Sequence, residues 1–456
     1  MQDYSALFKG KKITVLGLGL LGRGIGDVEF LAKCGANVLV TDRKSETELA
    51  ESVKKLEQYK NISFRLGGHN TADFTKCDMV LKAAGVRLDS PEIAIARTAG
   101  IPVAMSTALF AKYAMEAGVK VVGVTGTRGK STVSHMIHYV LISAFAKASA
   151  DRRATQVYLG GNVRGISTLA LLPDIQKGDI AVLELDSWQL QGFGDLNISP
   201  NISIFTNFMP DHQNYYSSMD EYFSDKANIF KFQRKGNSLF VGRSVLEKVK
   251  SEKPPVAPVV PPAIPADWQL KTRGEHNREN ASFAVAVLRT LGISESIIRA
   301  GIESFEGVEG RLQFVGETRC IKIYNDNNAT TPEATIAGLR AVGNAKKRNV
   351  VLIVGGDDKN LDMSLLVREI PKWCSKVVLF KERGTDTVRD AIFKMKESGI
   401  DVYEEEGLEA TVKRAFAIAS AGETILYSPA FSSFGKYFQN EFDRGDQFAK
   451  LVREGV

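Results

Sequence analysis

The residues best suited to chemistry lie in Gly123–Thr132, which reads GVTGTRGKST. Gly126 and Gly129 precede Lys130, Ser131 and Thr132, between a β-rich run and a helical one. A loop of this kind, with Thr127 and Arg128 between its glycines, turns backbone N–H groups toward an anion at a helix N-terminus. The lysine would neutralise charge on the β/γ-phosphates of ATP, and the Ser131 hydroxyl suits Mg²⁺. The spacing departs from G-x-x-x-x-G-K-[ST], whose first glycine would fall at Val124. That mismatch argues against a standard Walker loop but not against the mechanism.

Magnesium needs oxygen ligands. Glu184, in LELDSWQL, ends an apolar strand pattern on the carboxyl edge where open α/β sheets bind ligands. A carboxylate there is costly to bury unless it is paired or metal-bound. A salt bridge at the strand end is the plainer alternative. The stretch TNFMPDH also follows a strand and offers Asp211 and His212, with His212 either completing a metal shell or sitting satisfied at a loop edge. His135 and His138 lack a partnering glutamate and read as ordinary helix-face residues.

A second glycine motif, Gly17-x-Gly19-x-x-Gly22, follows a strand and precedes a helix, with Asp42 about 20 residues further on. It favours a phosphate or pyrophosphate at a helix N-terminus. A dinucleotide, and hence an NAD(P)-dependent oxidoreductase, is one reading. Another diphosphate ligand, such as a UDP-sugar, is equally allowed.

The elements that must position these groups alternate strand and helix. Strands are expected at Lys12–Leu16, Asn37–Thr41, Lys120–Thr125, Ala181–Leu185 and Ile202–Thr206. A third run follows Arg311, with strands at Val350–Val354, Val377–Phe380 and Thr424–Tyr427. The fold class is α/β with three serial domains: Rossmann-like, P-loop ATPase-like with a parallel sheet, and Rossmann-like again. Their expected ranges are 1–117, 118–308 and 309–456. The proline-dense Lys253–Pro265 reads as an extended surface loop or polyproline II segment. Ser143–Arg153 reads as a lengthened surface connection.

Composition narrows the classes further. A net charge of +6 over 456 residues, with no basic block, gives no support to nucleic-acid binding. The four cysteines form no C-x-x-C pair, so free core thiols are expected rather than disulfides or zinc. No signal pattern opens the chain and no run of about 18 apolar residues occurs, so a cytoplasmic protein without membrane contact is expected.

The ordered motifs GTRGKST, GGN, LELDSWQL, TNFMPDH, YFSDKANIF, GEHNRENA, EGR, DNNAT, GGDDK and SPAFSSFGKYFQNEFDRG span nearly the whole chain. Together they resemble the Mur ligase family. Gly17-x-Gly19-x-x-Gly22 and the C-terminal SPAFSSF…FDRG are similar to its D-glutamate-adding branch. The resemblance implies a monomer that uses ATP to join glutamate to UDP-N-acetylmuramoyl-L-alanine through an acyl phosphate. It implies that Lys130 and Ser131 hold the γ-phosphate and one Mg²⁺, that Glu184 ligates that ion, and that His212 assists a second. Lys226 matches the lysine that the family carbamylates. Gly126, Thr127, Gly129, Thr132, Asn277, Asn280, Arg311 and Asp326 would frame the nucleotide. Gly17, Leu18, Gly19, Asp42, Arg43 and Asn162 would hold the UDP substrate. Thr330, Lys359, Ser433, Phe434 and Phe442 would receive the amino acid.

The chain departs from the family pattern at three places. Asn328 stands where a lysine is expected, a loss of about 1.5–3 kcal/mol of charge-assisted binding unless another cation, such as Lys436, substitutes. Ala83-Ala84-Gly85 replaces Ser-Pro-Gly and removes a hydroxyl. Asp186 adds a carboxylate near the magnesium ligands. Asn328 keeps L-glutamate or another acidic amino acid open as the acceptor. Folate polyglutamate ligation fits the N-terminal glycine motif poorly. An oxidoreductase leaves Lys130, Glu184 and Lys226 without a role, and a non-catalytic regulator leaves the intact catalytic set unexplained.

Overall fold

The computed structural model describes residues 4–19, 22–146, 155–211, 215–433, 435–438 and 440–455. The chain forms two compact units, Met1–Pro262 with Ser282–Gly301, and Ala263–Ala281 with Ile302–Val456. Three sheets follow one another along it, and all but one of their strand pairings are parallel.

The first sheet contains β1 (Lys12–Leu16), β2 (Asn37–Asp42), β3 (Ile62–Leu66), β4 (Met79–Lys82) and β5 (Val103–Ala104), in the order β3-β2-β1-β4-β5. Chain direction across the sheet reverses between β1 and β4. A crevice opens at such a switch, and the glycine motif follows β1 directly into it.

The second sheet contains β6 (Lys120–Thr125), β7 (Val157–Gly161), β8 (Ile180–Glu184), β9 (Ile202–Phe205), β10 (Ser238–Val241) and β11 (Pro258–Val259), in the order β11-β10-β9-β6-β8-β7. Its central strand, β6, is buried from Val121 through Thr125. Helices cover both faces of such a strand, so its sequence is a continuous apolar run rather than an alternating one. Both sheets of this unit share one apolar core, which takes in Phe8, Leu31, Phe110, Leu183 and Phe230.

The second unit holds β12 (Gln313–Thr318), β13 (Ile321–Asn325), β14 (Val350–Val354), β15 (Cys374–Phe380), β16 (Asp401–Glu405) and β17 (Thr424–Tyr427). Their order is β12-β13-β17-β14-β15-β16, with β12 antiparallel to β13.

Three local expectations need correction. The proline-rich segment is not wholly loop: Pro258 and Val259 pair with Leu239 and Phe240 as the parallel edge strand β11. Proline is tolerated at an edge because the sheet asks for no donor on its outer side. The expected connection at Ser143 starts later, since the helix Lys130–Phe145 continues through it; residues 147–154 lie outside the described set. Among the described residues Cys34, Cys77 and Cys374 are buried thiols outside any disulfide, whereas Cys320 is exposed. Among the described residues no helix is long and apolar enough to cross a membrane.

Candidate active site

The phosphate loop occupies the C-terminal end of β6, flanked by the ends of β8 and β9. Gly126 has φ +141° and Gly129 has φ +86°, so the chain turns twice through backbone conformations that side-chain-bearing residues rarely adopt. A Cβ on Gly126 would lie 2.0 Å from Thr206 Oγ1. Gly129 caps the helix Lys130–Phe145, leaving the first-turn N–H groups aimed out of the helix end.

The end of β9 braces this loop. Thr206 Oγ1 donates to Arg128 O at 2.5 Å, Arg128 N donates to Asn207 Oδ1 at 2.8 Å, and Thr127 N donates to Asn207 O at 3.0 Å. Met209 N donates to Thr127 Oγ1 at 3.0 Å. Two lysines then converge on one carbonyl. Lys130 Nζ and Lys226 Nζ each donate to Gly126 O at 3.0 Å. Lys226 is 1% exposed and lies 4.9 Å from the Tyr222 ring centroid. Burial, reinforced by the Lys130 charge, pushes its amine well below the usual lysine range.

Glu184 is the last residue of β8, in register with Val124 of β6 and Gly161 of β7. It is 3% exposed, and its carboxylate makes no ion pair among the described residues. Asp186, two positions on, caps the helix Ser187–Asp195, accepting from Gln189 N at 2.7 Å, and its negative charge acts on the Lys226 amine. Asp211 is buried and pairs with Arg128 at 3.6 Å. His212 lies outside the described residues. Among those described, no group of three His, Cys, Asp or Glu forms a metal cluster. His135 Nδ1 lies 2.8 Å from Ser131 O, in keeping with a helix-face residue.

The first glycine turn serves a separate cavity of about 430 Å³, lined by Leu18, Gly19, Arg23, Lys82, Gly161 and Gln189 among others. Asp42 Oδ2 accepts from Leu18 N at 2.9 Å and its Oδ1 accepts from Lys44 N at 3.0 Å, so the carboxylate organises the turn. Arg43 pairs with Glu92 at 3.0 Å. Asn162 accepts at Oδ1 from Arg23 Nη1 at 2.9 Å. Sequence reasoning missed Arg23, although its place directly after Gly22 was a usable signal. It also missed Lys82, a 2% exposed lysine whose Nζ donates to Val86 O at 2.9 Å. Burial pushes its amine down to about 8.

In the second unit, Asn280 Nδ2 donates to Asn277 Oδ1 at 3.1 Å, and Asn277 Nδ2 donates to Arg273 O at 2.7 Å. Asp326 receives Leu312 N and Ser428 Oγ, each at 2.9 Å, and so ties the loop carrying Arg311 to the end of β17. Lys359 Nζ donates to Thr330 Oγ1 at 3.1 Å. Ser433 is buried; Phe442 opens the C-terminal helix, its N–H donating to the Asn440 cap at 2.9 Å. Phe434 lies outside the described residues. Arg444 was not anticipated: fully buried, it donates to Asn327 O at 2.6 Å and Ser432 O at 3.1 Å, joining the two loops that carry Thr330 and Ser433. The expected substitute cation, Lys436, is already paired with Glu406 at 3.2 Å. Asn328 Nδ2 donates to Glu309 O at 3.3 Å.

Comparison with known proteins bears on the family and the fold. Residues 11–105 match the Mur ligase MurD-like N-terminal domain, 124–254 the Mur ligase middle domain, and 310–431 the Mur ligase glutamate ligase domain. The UDP-N-acetylmuramoylalanine–D-glutamate ligase of Borreliella afzelii is 34% identical over 97% of this chain and 98% of its own length. The enzyme of that name from Roseiflexus is 32% identical over the same shares. In fold, the chain is similar to the UDP-N-acetylmuramate-alanine ligase of Thermotoga maritima, with a TM-score of 0.59 at 19% identity over 98% of this chain and 100% of that one. The MurF ligase of Thermotoga maritima, solved with ADP, gives a TM-score of 0.58 at 15% identity over 100% and 98%. Related in sequence along nearly its whole length to relatives of one kind, the chain belongs to the Mur ligase family.

Proposed function

We propose that the chain is an ATP-dependent ligase that adds D-glutamate to UDP-N-acetylmuramoyl-L-alanine, releasing ADP and phosphate, in peptidoglycan precursor synthesis. The observation that carries this is the convergence of Lys130 and Lys226 on the phosphate loop, beside the buried Glu184, in a chain of this family. The substrate carboxylate attacks the γ-phosphate of ATP and forms an acyl phosphate; the glutamate amine then displaces phosphate. Both steps gather negative charge, so fixed donors and cations at the loop carry most of the catalysis.

In this reading Gly126, Thr127, Gly129 and Thr132 wrap the phosphates through the loop and the first helical turn, while Lys130 swings from its loop carbonyls to the γ-phosphate. Asn277, Asn280, Arg311 and Asp326 frame the rest of the nucleotide. Gly17, Leu18, Gly19, Asp42, Arg43 and Asn162 hold the UDP substrate. Thr330, Lys359, Ser433, Phe434 and Phe442 receive glutamate. The residues fit Mg²⁺: Glu184 is a buried carboxylate with no ion pair among the described residues, and Ser131 lies in the first turn of the helix that follows the loop. Ser131 and Glu184 would hold one ion and His212 would assist a second, with a carbamylated Lys226 as a further oxygen donor. Bound Mg²⁺ withdraws charge from the phosphate oxygens. Only a neutral amine attacks CO₂, forming the N–C bond and releasing a proton. Burial that disfavours the Lys226 ammonium therefore supports carbamylation. The domain ranges 1–117, 118–308 and 309–456 would bind the UDP substrate, ATP and amino acid in turn, in a cytoplasmic monomer.

L-Glutamate as the acceptor is the second reading, because Asn328 replaces a lysine and Lys436 is committed to Glu406. Phosphate release is measured with UDP-N-acetylmuramoyl-L-alanine, ATP, Mg²⁺ and either D- or L-glutamate. Release with D-glutamate is expected. Release with neither, or release that ignores the muramoyl substrate, overturns the proposal.

A further inference from the structure

The geometry points to Arg23 as the cation that grips the diphosphate of the nucleotide-sugar substrate and turns the Asn162 carboxamide toward it. Arg23 opens the helix Arg23–Lys33, directly after Gly22 at φ +79°. It lines the cavity that also receives the backbone of Gly17, Leu18 and Gly19. Its Nη1 donates to Asn162 Oδ1 at 2.9 Å. A guanidinium only donates, so this bond fixes which end of the carboxamide faces Arg23. The two Nδ2 N–H donors of Asn162 meet no acceptor among the described residues.

Arg23 forms no ion pair among the described residues, and Asn162 Oδ1 is its one side-chain partner there. The nearby carboxylate, Asp27, accepts instead from Ser167 Oγ at 2.7 Å. The guanidinium therefore keeps most of its five donors for a ligand. Guanidinium, carboxamide N–H groups and the helix N-terminus all favour the same partner, an anion with several acceptor oxygens in one place. A diphosphate meets that description better than a single carboxylate, because donors come from the turn after β1 and from Asn162 after β7. Arg23 follows β1 and Asn162 follows β7, strands of different sheets, so their bond ties the loops of the two sheets together next to the cavity that Arg23 and Gly161 line. The identity of the diphosphate's bearer rests on the ligase reading; the assignment of Arg23 to the diphosphate does not.

The test uses the full chain and UDP as probe, titrated calorimetrically against wild type, Arg23→Gln, Arg23→Lys and Asn162→Ala. Arg23→Gln is expected to weaken UDP by about 10- to 100-fold, the range of a charge-assisted contact. Arg23→Lys keeps the charge but loses the planar fork, and recovers only part of that affinity. Asn162→Ala weakens UDP as well, while Arg23 remains in place. In turnover, KM for the UDP substrate rises with little change in kcat, and KM for ATP and for glutamate stays at its wild-type value. Unchanged UDP affinity in both Arg23 variants, absence of UDP binding to wild type, or an equal rise in KM for ATP overturns the assignment. Failure of the ligase reading shows separately, as absent phosphate release by a wild-type protein that still binds UDP through Arg23.

Discussion

The two glycine loops of the first unit solve the same backbone problem with different side chains. Each follows a central strand, and each enters its helix through a left-handed glycine, Gly22 at φ +79° and Gly129 at φ +86°. Each has a buried lysine donating to a nearby backbone carbonyl: Lys82 to Val86 O, Lys226 to Gly126 O. The loops differ in what surrounds this frame. After β1 the helix begins with Arg23, and Asp42 clamps the turn through Leu18 N. After β6 it begins with Lys130 and Ser131, Thr206 and Asn207 brace the loop, and Glu184 ends the neighbouring strand. On the proposed reading the first loop holds a diphosphate and the second moves a phosphoryl group. A glycine turn at a helix N-terminus thus says "anion"; the side chains brought from adjacent strands say what happens to it.

The sharpest way to break this comparison is Lys130→Ala. Loss of the loop cation should lower kcat by about 10³-fold, with an unchanged circular dichroism spectrum and melting temperature. Substantial residual turnover would reduce the second loop to the status of the first. Arg23→Gln, by contrast, should act through the KM of one substrate.

The buried lysines offer the next test. Burial holds the Lys82 amine at about 8 against 10.5 for a free lysine. The unfolded chain therefore binds more protons between those values, and stability rises with pH through that window. The penalty is complete below pH 8 and amounts to about 3 kcal/mol. Urea denaturation of Lys82→Met should show a protein stabilised at pH 7 that lacks this increment. Equal pH profiles for variant and wild type would contradict it. Lys226→Ala should cost about 10²-fold in kcat and regain activity when a short carboxylate is supplied in place of the carbamate. A fully active Lys226→Ala would remove that lysine from the chemistry.

The smallest effect separates two glycines. Gly126→Ala places a methyl group 2.0 Å from Thr206 Oγ1 at φ +141°. It should cost about 3 kcal/mol from strain and overpacking together. Gly19→Ala meets nothing within 4 Å at φ +70°, and only the left-handed backbone cost of about 1 kcal/mol remains. Thermal unfolding of the two variants side by side reads the difference.

Much of this frame was legible in the residues. β1, β6, β14 and β17 run where their apolar patterns ended, because strands covered on both faces leave an unbroken apolar run between turn residues. β15 was read too short at its start, since Cys374–Lys376 does not carry that signature. β11 was missed because two residues on a sheet edge, one of them proline, have no periodicity to read. At the site, Gly126, Gly129 and Lys130 announced themselves by local spacing. Arg23, Lys82 and Arg444 did not, because their partners Asn162, Val86 and Asn327 are set by packing or by turns that no motif encodes. That Asp186 also caps a helix, three residues before Gln189, went unread.

What the order of residues determined by itself was the succession of strands, glycine turns and helices, the glycine-lysine pattern of the loop after β6 and the family pattern, since each depends on neighbours within a few positions. Only the tertiary structure decided that Lys226, about 100 positions from Gly126, loses water and leans toward the neutral amine beneath the loop. It alone buried Glu184 with no ion pair among the described residues and set Arg23 against Asn162. Desolvation and hydrogen-bond partnership belong to the packed chain: the same side chain in water would keep its ordinary charge and choose no partner.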